Sequence, residues 1–354
     1  MSVVSPEPDG TRGKPAKQKL LVVEIWNLGD LVISTPFLRA ASERFEVTLL
    51  AKPFAEDLRP HLWPEIRIHT FKAPWTAFKR KYRLFSWPWR EIAGLRRLRA
   101  QHFDFGLSAR WDPRDHLLLF AVRARERLGF PRMGSGPLLT RPLPRALPGS
   151  HRYEGWRLMA KALGFQLPTL DQLPSTLPQA ASHRSDEILV HTGAGQPVRV
   201  WPLARYRILV ERLREKGYSV QVACDPNQLG WWTEAGEKAV ICPRTVSELV
   251  QVVEQAGLFI GNDSGPGHVA ATCGVPTFTL FGPQLPEWFA PLHRAGEWLE
   301  GKPCPYKPCS DYCRFAAPHC LENSTEEEVW SRVGPFVARV LSGRAPSTAV
   351  FTDS

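Results

Sequence analysis

No uninterrupted apolar run in this 354-residue chain approaches the length of a membrane-spanning helix, which needs about 20 apolar residues. The first eighteen residues, MSVVSPEPDGTRGKPAKQ, lack the apolar core of a signal peptide and read as a disordered tail. The expected location is therefore the cytoplasm. Cysteines number seven, an odd count in a chain without an export signal, so a disulfide framework is not expected. Neither the Walker phosphate-loop pattern nor the dinucleotide fingerprint occurs. Acidic residues are scarce in one place. Between Lys72 and Arg99 a single acid, Glu91, stands among nine Lys or Arg.

What is present suits a soluble α/β protein. Hydrophobic residues make up 43% of the chain and charged residues 23%, and the length is enough for two domains with a core each. A net charge of +10 favours an anionic partner. After residue 18, the short apolar run Leu20 to Ile25 meets a Gly-containing turn. A helix-like pattern follows, with Leu31, Phe37, Leu38 and Ala41 on one side. EVTLLAK and FDFGLSAR read as further strands. Strands alternating with helical segments predict a parallel sheet covered by helices. The proline-rich stretch LPTLDQLPSTLPQAASHRSD interrupts this series as a linker. A second series starts at EILVHTGAG and runs through helices at 203–216 and 246–255 and the strands YSVQVAC and LFIGN. It closes with the helix-like GHVAATCG and the strand-like VPTFTLFG. The predicted architecture is two doubly wound domains facing across a cleft, residues 19–178 and 179–324. Ligands are expected at the strand-to-helix turns.

Three of these turns have the residues for chemistry. In GNDSGPGHVAA, Ser264, Gly265 and the residues after them offer free N–H groups at a helix start, an anion site. Asp263 or Ser264 can cap the helix, and a capped helix over a buried His268 accounts for the pattern equally well. In HTGAGQPVRVWP, Gly193 and Gly195 open the backbone, and Arg199 follows. A guanidinium can hold a diphosphate through two parallel hydrogen bonds, whereas an ordinary glycine turn beside a solvated arginine would look the same. In EIWNLGDLVISTP, Asp30 follows Gly29 at a helix start, where the helix dipole favours its ionised form. It is either a general base facing the cleft or an ordinary N-terminal helix acid.

These turns, in this order, resemble glycosyltransferase family 9, the heptosyltransferases of the lipopolysaccharide inner core. LGD at 28–30 with Thr35-Pro36, RVWP from Arg199, HRYEGWRLMAKALGF from His151 and the stretch from Asn262 to Pro283 carry the resemblance. It spans roughly residues 20 to 340. The resemblance implies a GT-B fold and metal-independent inversion at the sugar carbon, with no cofactor. It implies Asp30 as general base and Arg199, Ser264 and Gly265 as ligands of the donor diphosphate. Asp263 and His268 would order that loop or touch the sugar, and the Thr192–Gly193 turn would line the same pocket. The donor would be a nucleotide sugar, ADP-heptose, and the acceptor a phosphorylated glycolipid. The family's usual lysine is Arg199 here. The acid expected to contact ribose is not obvious, and Asp225 is the nearest candidate. A helix at 325–345 is expected to cross back onto the first domain.

Two segments stand apart. Trp75, Phe78, Tyr82, Phe85 and Trp89 recur at steps of three and four, one face of a helix carrying Lys79, Arg80, Lys81 and Arg83. The positive charge reads as contact with the acceptor or with the cytoplasmic face of the inner membrane, although burial of the aromatics against the sheet is an equal reading. No nucleic-acid partner is expected, since no recognised binding module accompanies the patch. Cys304, Cys309, Cys313 and Cys320 could form a structural metal site, although C-x4-C-x3-C-x6-C fits no familiar module. Reduced thiols or a local disulfide are the alternatives. Three rivals to the leading function stay open: another nucleotide-sugar donor, an epimerase, and a non-catalytic membrane-associated binding protein.

Overall fold

The structure, a computed structural model, describes residues 16–76, 89–173 and 185–342. Lys79, Arg80, Lys81 and Arg83 lie outside the described residues. The first sheet contains β1 (Lys19–Glu24), β2 (Glu46–Ala51), β3 (Arg67–Thr70), β4 (Phe105–Leu107), β5 (Glu126–Gly129) and β6 (Arg141–Pro142). The second contains β7 (Ile188–His191), β8 (Val220–Ala223), β9 (Val240–Ile241), β10 (Leu258–Asn262), β11 (Thr277–Phe281) and β12 (Glu297–Glu300). Their orders are β3-β2-β1-β4-β5-β6 and β12-β11-β10-β7-β8-β9. All of these pairings are parallel.

Such sheets are covered on both faces, so their inner strands are near-continuous apolar runs. ILVH, LFIGN and TFTLF are buried at every position. Both sheets are doubly wound, with the strand order reversing between β1 and β4 and between β7 and β10. Ligands bind beyond the strand ends at such points. The turns after these four strands are therefore the ones that can build a site.

The helical stretch after β1 comes as two helices, Leu28–Ile33 and Thr35–Arg44, where the sequence pattern suggests one. Pro36 has no N–H to continue the ladder and falls in the first turn of the second helix, where a proline is tolerated.

The last helix, Glu326–Ser342, corrects the expected return to the first domain. Val329, Val333, Phe336 and Val337 form its buried stripe, which joins the apolar cluster of the second domain with Val210, Leu213 and Phe278. Phe336 meets Phe278 at a ring distance of 5.5 Å. Arg205 pairs with Glu326 at 3.2 Å and Arg212 with Glu327 at 2.5 Å, which aligns the helix along Leu203–Glu215. Spacing i, i+4, i+7, i+8 makes one apolar face, and that face is spent locally. Phe336→Ala should cost about 3–5 kcal/mol of stability in denaturant unfolding. A loss under about 1 kcal/mol would mean that the ring is not buried as described.

The two domains share apolar surface. Leu31, Val32 and Phe37 belong to the same buried cluster as Val250, Val253, Val269 and Ala270. Polar bonds cross as well: Val246 N–H donates to Asp57 Oδ2 at 3.2 Å, and Arg152 N–H donates to the Trp288 carbonyl at 2.9 Å. Among the described residues, no helix is long and apolar enough to cross a membrane.

Candidate active site

The turn after β1 brings Asp30 into the first turn of helix Leu28–Ile33. Its Oδ1 lies 2.6 Å from Arg110 Nη1 and 3.6 Å from Arg152 Nε. Arg110 follows β4, the strand across the switch point from β1. Its guanidinium stacks 4.3 Å from the Trp26 ring. Trp26 in turn donates through Nε1 to Asp115 Oδ2 at 3.1 Å, and Ser108 Oγ donates to the same oxygen at 3.0 Å. Arg152 is placed from the other side. Beside it, His151 Nε2 donates to the Ala290 carbonyl at 2.9 Å, and His151 Nδ1 accepts from Tyr153 N–H at 3.1 Å. Those bonds select the neutral imidazole, and burial brings the His151 pKa down to about 4.

Burial decides much of the electrostatics here. It pushes Glu24, the last residue of β1, up to about 8, with Arg110 opposing and Asp30 and Asp115 adding to the rise. It pushes Asp115 up to about 7. Asp30 goes the other way. Burial works against its ionisation, yet Arg110 and Arg152 outweigh it and hold the carboxyl below its ordinary range. Burial and the neighbouring Arg110 draw Arg152 down to about 10. Lys52, just past β2, is lowered by burial while Asp30 and Glu24 pull it upward. Asp30 is therefore an ionised carboxylate set among Lys52, Arg110 and Arg152.

The second domain supplies the facing wall. Asp263 ends the β10 turn, and Ser264 caps helix Gly265–Thr272, its hydroxyl donating to the Asn262 carbonyl at 3.2 Å. The Ser264 side chain makes no capping bond to the first N–H groups of this helix, which leaves them available to an anion. Arg199 Nη1 lies 3.0 Å from Asp263 Oδ2. Its Nε and Nη2 lie 2.7 and 2.8 Å from the two oxygens of Asp311. Burial would lower the Arg199 pKa, but Asp263 and Asp311 overcome it and the net shift is upward. Burial raises Asp263 to about 6 against the pull of Arg199.

Glycines let the two walls meet. A Cβ on Gly29 would stand 2.7 Å from His268 Cδ2, and one on Gly265 would stand 2.8 Å from Leu28 Cδ2. Either contact is closer than real Cβ atoms approach. The His268 imidazole thus lies against the backbone beside Asp30. It is neutral, because burial takes its pKa down to about 4, and its buried Nδ1 has no hydrogen-bond partner among the described residues. Asp30 lies within electrostatic reach of Arg199, Asp263 and His268.

The structure thus brings together Asp30, Arg199, Asp263, Ser264, Gly265 and His268. Asp225 stands apart from them, packed against Gly193 and within electrostatic reach of His191, the last residue of β7. Thr192 is corrected. Its hydroxyl accepts from Trp232 Nε1 at 3.1 Å and donates to Gln228 Oε1 at 3.0 Å, so the fully buried side chain braces the turn instead of facing a pocket. Of the three readings of the cysteines, the structure presents the reduced thiols. Cys304, Cys309, Cys313 and Cys320 are free thiols, and among the described residues no three metal-ligating side chains converge. What that segment delivers to the site is Asp311.

Sequence reasoning missed Glu24, Lys52, Arg110, Arg152 and Asp311. Arg110 had a usable signal, since it ends FDFGLSAR in a strand-to-helix turn of the kind read at the other three sites. Arg152 stands inside the matched HRYEGW. Asp311 had none, being 112 residues from its partner.

Comparison with known proteins gives the family and the fold. The sequence profile of glycosyltransferase family 9 (heptosyltransferase) matches residues 92–315. Lipopolysaccharide heptosyltransferase 1 of Pseudomonas aeruginosa is 32% identical over 207 residues, 54% of this chain and 56% of that protein. Lipopolysaccharide heptosyltransferase 3 of Escherichia coli K12 is 30% identical over 104 residues, 27% of this chain and 30% of that one. The chain therefore matches about half or less of the length of these two curated relatives. Among solved structures, a family 9 glycosyl transferase from Veillonella parvula superposes with a TM-score of 0.69 at 18% identity, covering 93% of this chain and 100% of that one. The E. coli heptosyltransferase WaaC with ADP also gives 0.69, at 17% identity, covering 92% and 100%.

Proposed function

We propose, from the premise that this chain belongs to glycosyltransferase family 9 and has the GT-B fold, that it transfers heptose from ADP-heptose to a lipopolysaccharide core acceptor. One observation carries the reading: an ionised Asp30 set between Arg110 and Arg152, directly across from the open N-terminus of helix Gly265–Thr272.

The chemistry follows from the charges. The acceptor hydroxyl attacks the anomeric carbon from the face opposite the diphosphate, and its proton goes to Asp30. The bond from that carbon to the diphosphate oxygen breaks, and the electron pair leaves with ADP. Arg199 and the N–H groups at the start of helix Gly265–Thr272 stabilise the leaving charge. The unpartnered His268 Nδ1 is free to bond a sugar hydroxyl. An acidic group on the acceptor would draw on Lys52, Arg110 and Arg152, which would loosen the grip of the arginines on Asp30 and make it a better base.

Membrane contact is part of the same proposal. Helix Trp89–Arg99, next to the basic segment, ends in Arg96, Arg97 and Arg99. The neighbouring helix Pro113–Val122 exposes Leu117 and Phe120. A basic surface with apolar side chains suits peripheral binding to anionic lipid.

A thermal-shift comparison of ADP, UDP, GDP and CDP tests the donor. A ligand at a hundred times its Kd stabilises by about 2.7 kcal/mol, so ADP should raise the Tm selectively. Selective stabilisation by UDP or GDP would replace the proposed donor.

A further inference from the structure

Arg199 meets the cleft with its guanidinium already engaged. Its hydrogen bonds run to both oxygens of Asp311, at 2.7 and 2.8 Å, and to the Asp263 carboxylate and carbonyl, at 3.0 and 3.3 Å. A guanidinium has five N–H donors in a fixed fork, and a phosphate takes it best through two parallel bonds along one edge. Asp311 occupies the edge formed by Nε and Nη2, while Asp263 occupies Nη1. No two-pronged edge remains for an incoming diphosphate. The charge also opposes one, because a single guanidinium stands between two acidic side chains.

Asp311 is held in place at a cost. Ser310 and Asp311 have φ of 50° and 71°, two successive left-handed residues with side chains. The Asp311 side chain is only 6% exposed. Its neighbours have contacts of their own: Cys309 N–H donates to the Pro283 carbonyl at 3.3 Å, Tyr312 N–H to the Cys309 carbonyl at 2.9 Å, and Lys307 pairs with Glu300 at 2.7 Å. Half-buried Cys309 and Cys313 flank it.

We propose that Asp311 is a placeholder for the donor diphosphate on Arg199, displaced when a nucleoside diphosphate binds, and that its departure releases the segment 304–314. The proposal rests on reading Arg199 as a diphosphate ligand. Donor affinity is then reduced by the fraction of molecules in which Asp311 still holds the guanidinium. Binding at the donor site is reported outward through the segment that carries the cysteines.

Calorimetric titration of the full chain with ADP and with adenosine tests this, using wild type, D311N, D311A, R199A and R199A/D311A. Removing the placeholder should tighten ADP binding roughly tenfold, since the competent fraction rises towards one. Adenosine, which lacks the diphosphate, should bind the variants as it binds wild type. D311A should have no effect on the R199A background. Labelling of Cys309 and Cys313 by an aromatic disulfide, followed by peptide mapping, should accelerate when ADP is added to wild type. In D311N it should be fast without ADP. Unchanged or weaker ADP binding in both single variants at position 311, with labelling indifferent to ADP, would overturn the proposal and leave the donor site standing. ADP binding that R199A does not weaken would overturn the reading of Arg199 itself, and the placeholder with it.

Discussion

Replacing Asp30 by Asn is expected to lower turnover by roughly a thousandfold, within the range that a positioned general base contributes, while ADP binds as before. The substitution is nearly isosteric, so the geometry of the turn survives. What disappears is the ability to take a proton, together with the negative charge between Arg110 and Arg152. Single-turnover transfer and ADP titration on the same preparation separate the outcomes. Preserved turnover would remove Asp30 from the chemistry. Loss of transfer and ADP binding together would make its role structural, and a binding protein without catalysis would show no transfer in either form.

The pH behaviour of this cluster has a definite sign. Asp30 has a depressed folded pKa, so its contribution to stability is present above its ordinary 3.8 and is lost only as pH falls through the folded value. Glu24 and Asp115 are raised, from 4.5 to about 8 and from 3.8 to about 7. Their protonated forms favour the folded state. That contribution is complete below the ordinary values and is lost as pH rises through 7 and 8. A pH–rate profile that bends near neutrality would therefore report Glu24, Asp115 or Asp263, which burial raises to about 6, because Asp30 is already ionised there.

Arg199→Ala should weaken ADP binding by roughly a hundredfold, the scale for truncating one member of a buried charge pair. It should also destabilise the fold. Asp263 and Asp311 both bond this guanidinium, and without it two buried carboxylates are left without their partner, at a cost of about 3–5 kcal/mol. Arg199→Lys is the discriminating companion. A lysine keeps the charge but cannot hold Asp311 with two parallel bonds, so stability should recover only in part. Calorimetry for ADP and denaturant unfolding give the two readings. Unchanged ADP affinity in both variants would place the diphosphate elsewhere.

Much of the fold was legible because parallel strands buried on both faces leave unbroken apolar runs, as in Leu20 to Val23 and Leu258 to Ile260. The glycine turns after β1, β7 and β10 were legible for the same reason, since a turn between buried elements must be tight. Arg110, Arg152 and Asp311 were harder. An arginine in a turn looks the same in sequence whether it faces solvent or a carboxylate, and only the approach of distant segments decides. Thr192 shows the reverse error: its neighbourhood suggested a ligand, yet Trp232 and Gln228, 40 and 36 residues away, consume its hydroxyl. The final helix misled because an apolar stripe specifies that a face is buried, not which surface covers it.

The close approach of Gly29 to the His268 ring bears on a competing reaction. An activated sugar can lose its nucleotide to water as readily as to a hydroxyl unless water is kept out. With less clearance than a methyl group between Gly29 and the His268 ring, no water fits between the walls at that point. Fidelity against hydrolysis thus belongs to the junction between the domains, where the absence of two β-carbons does the work of a gate.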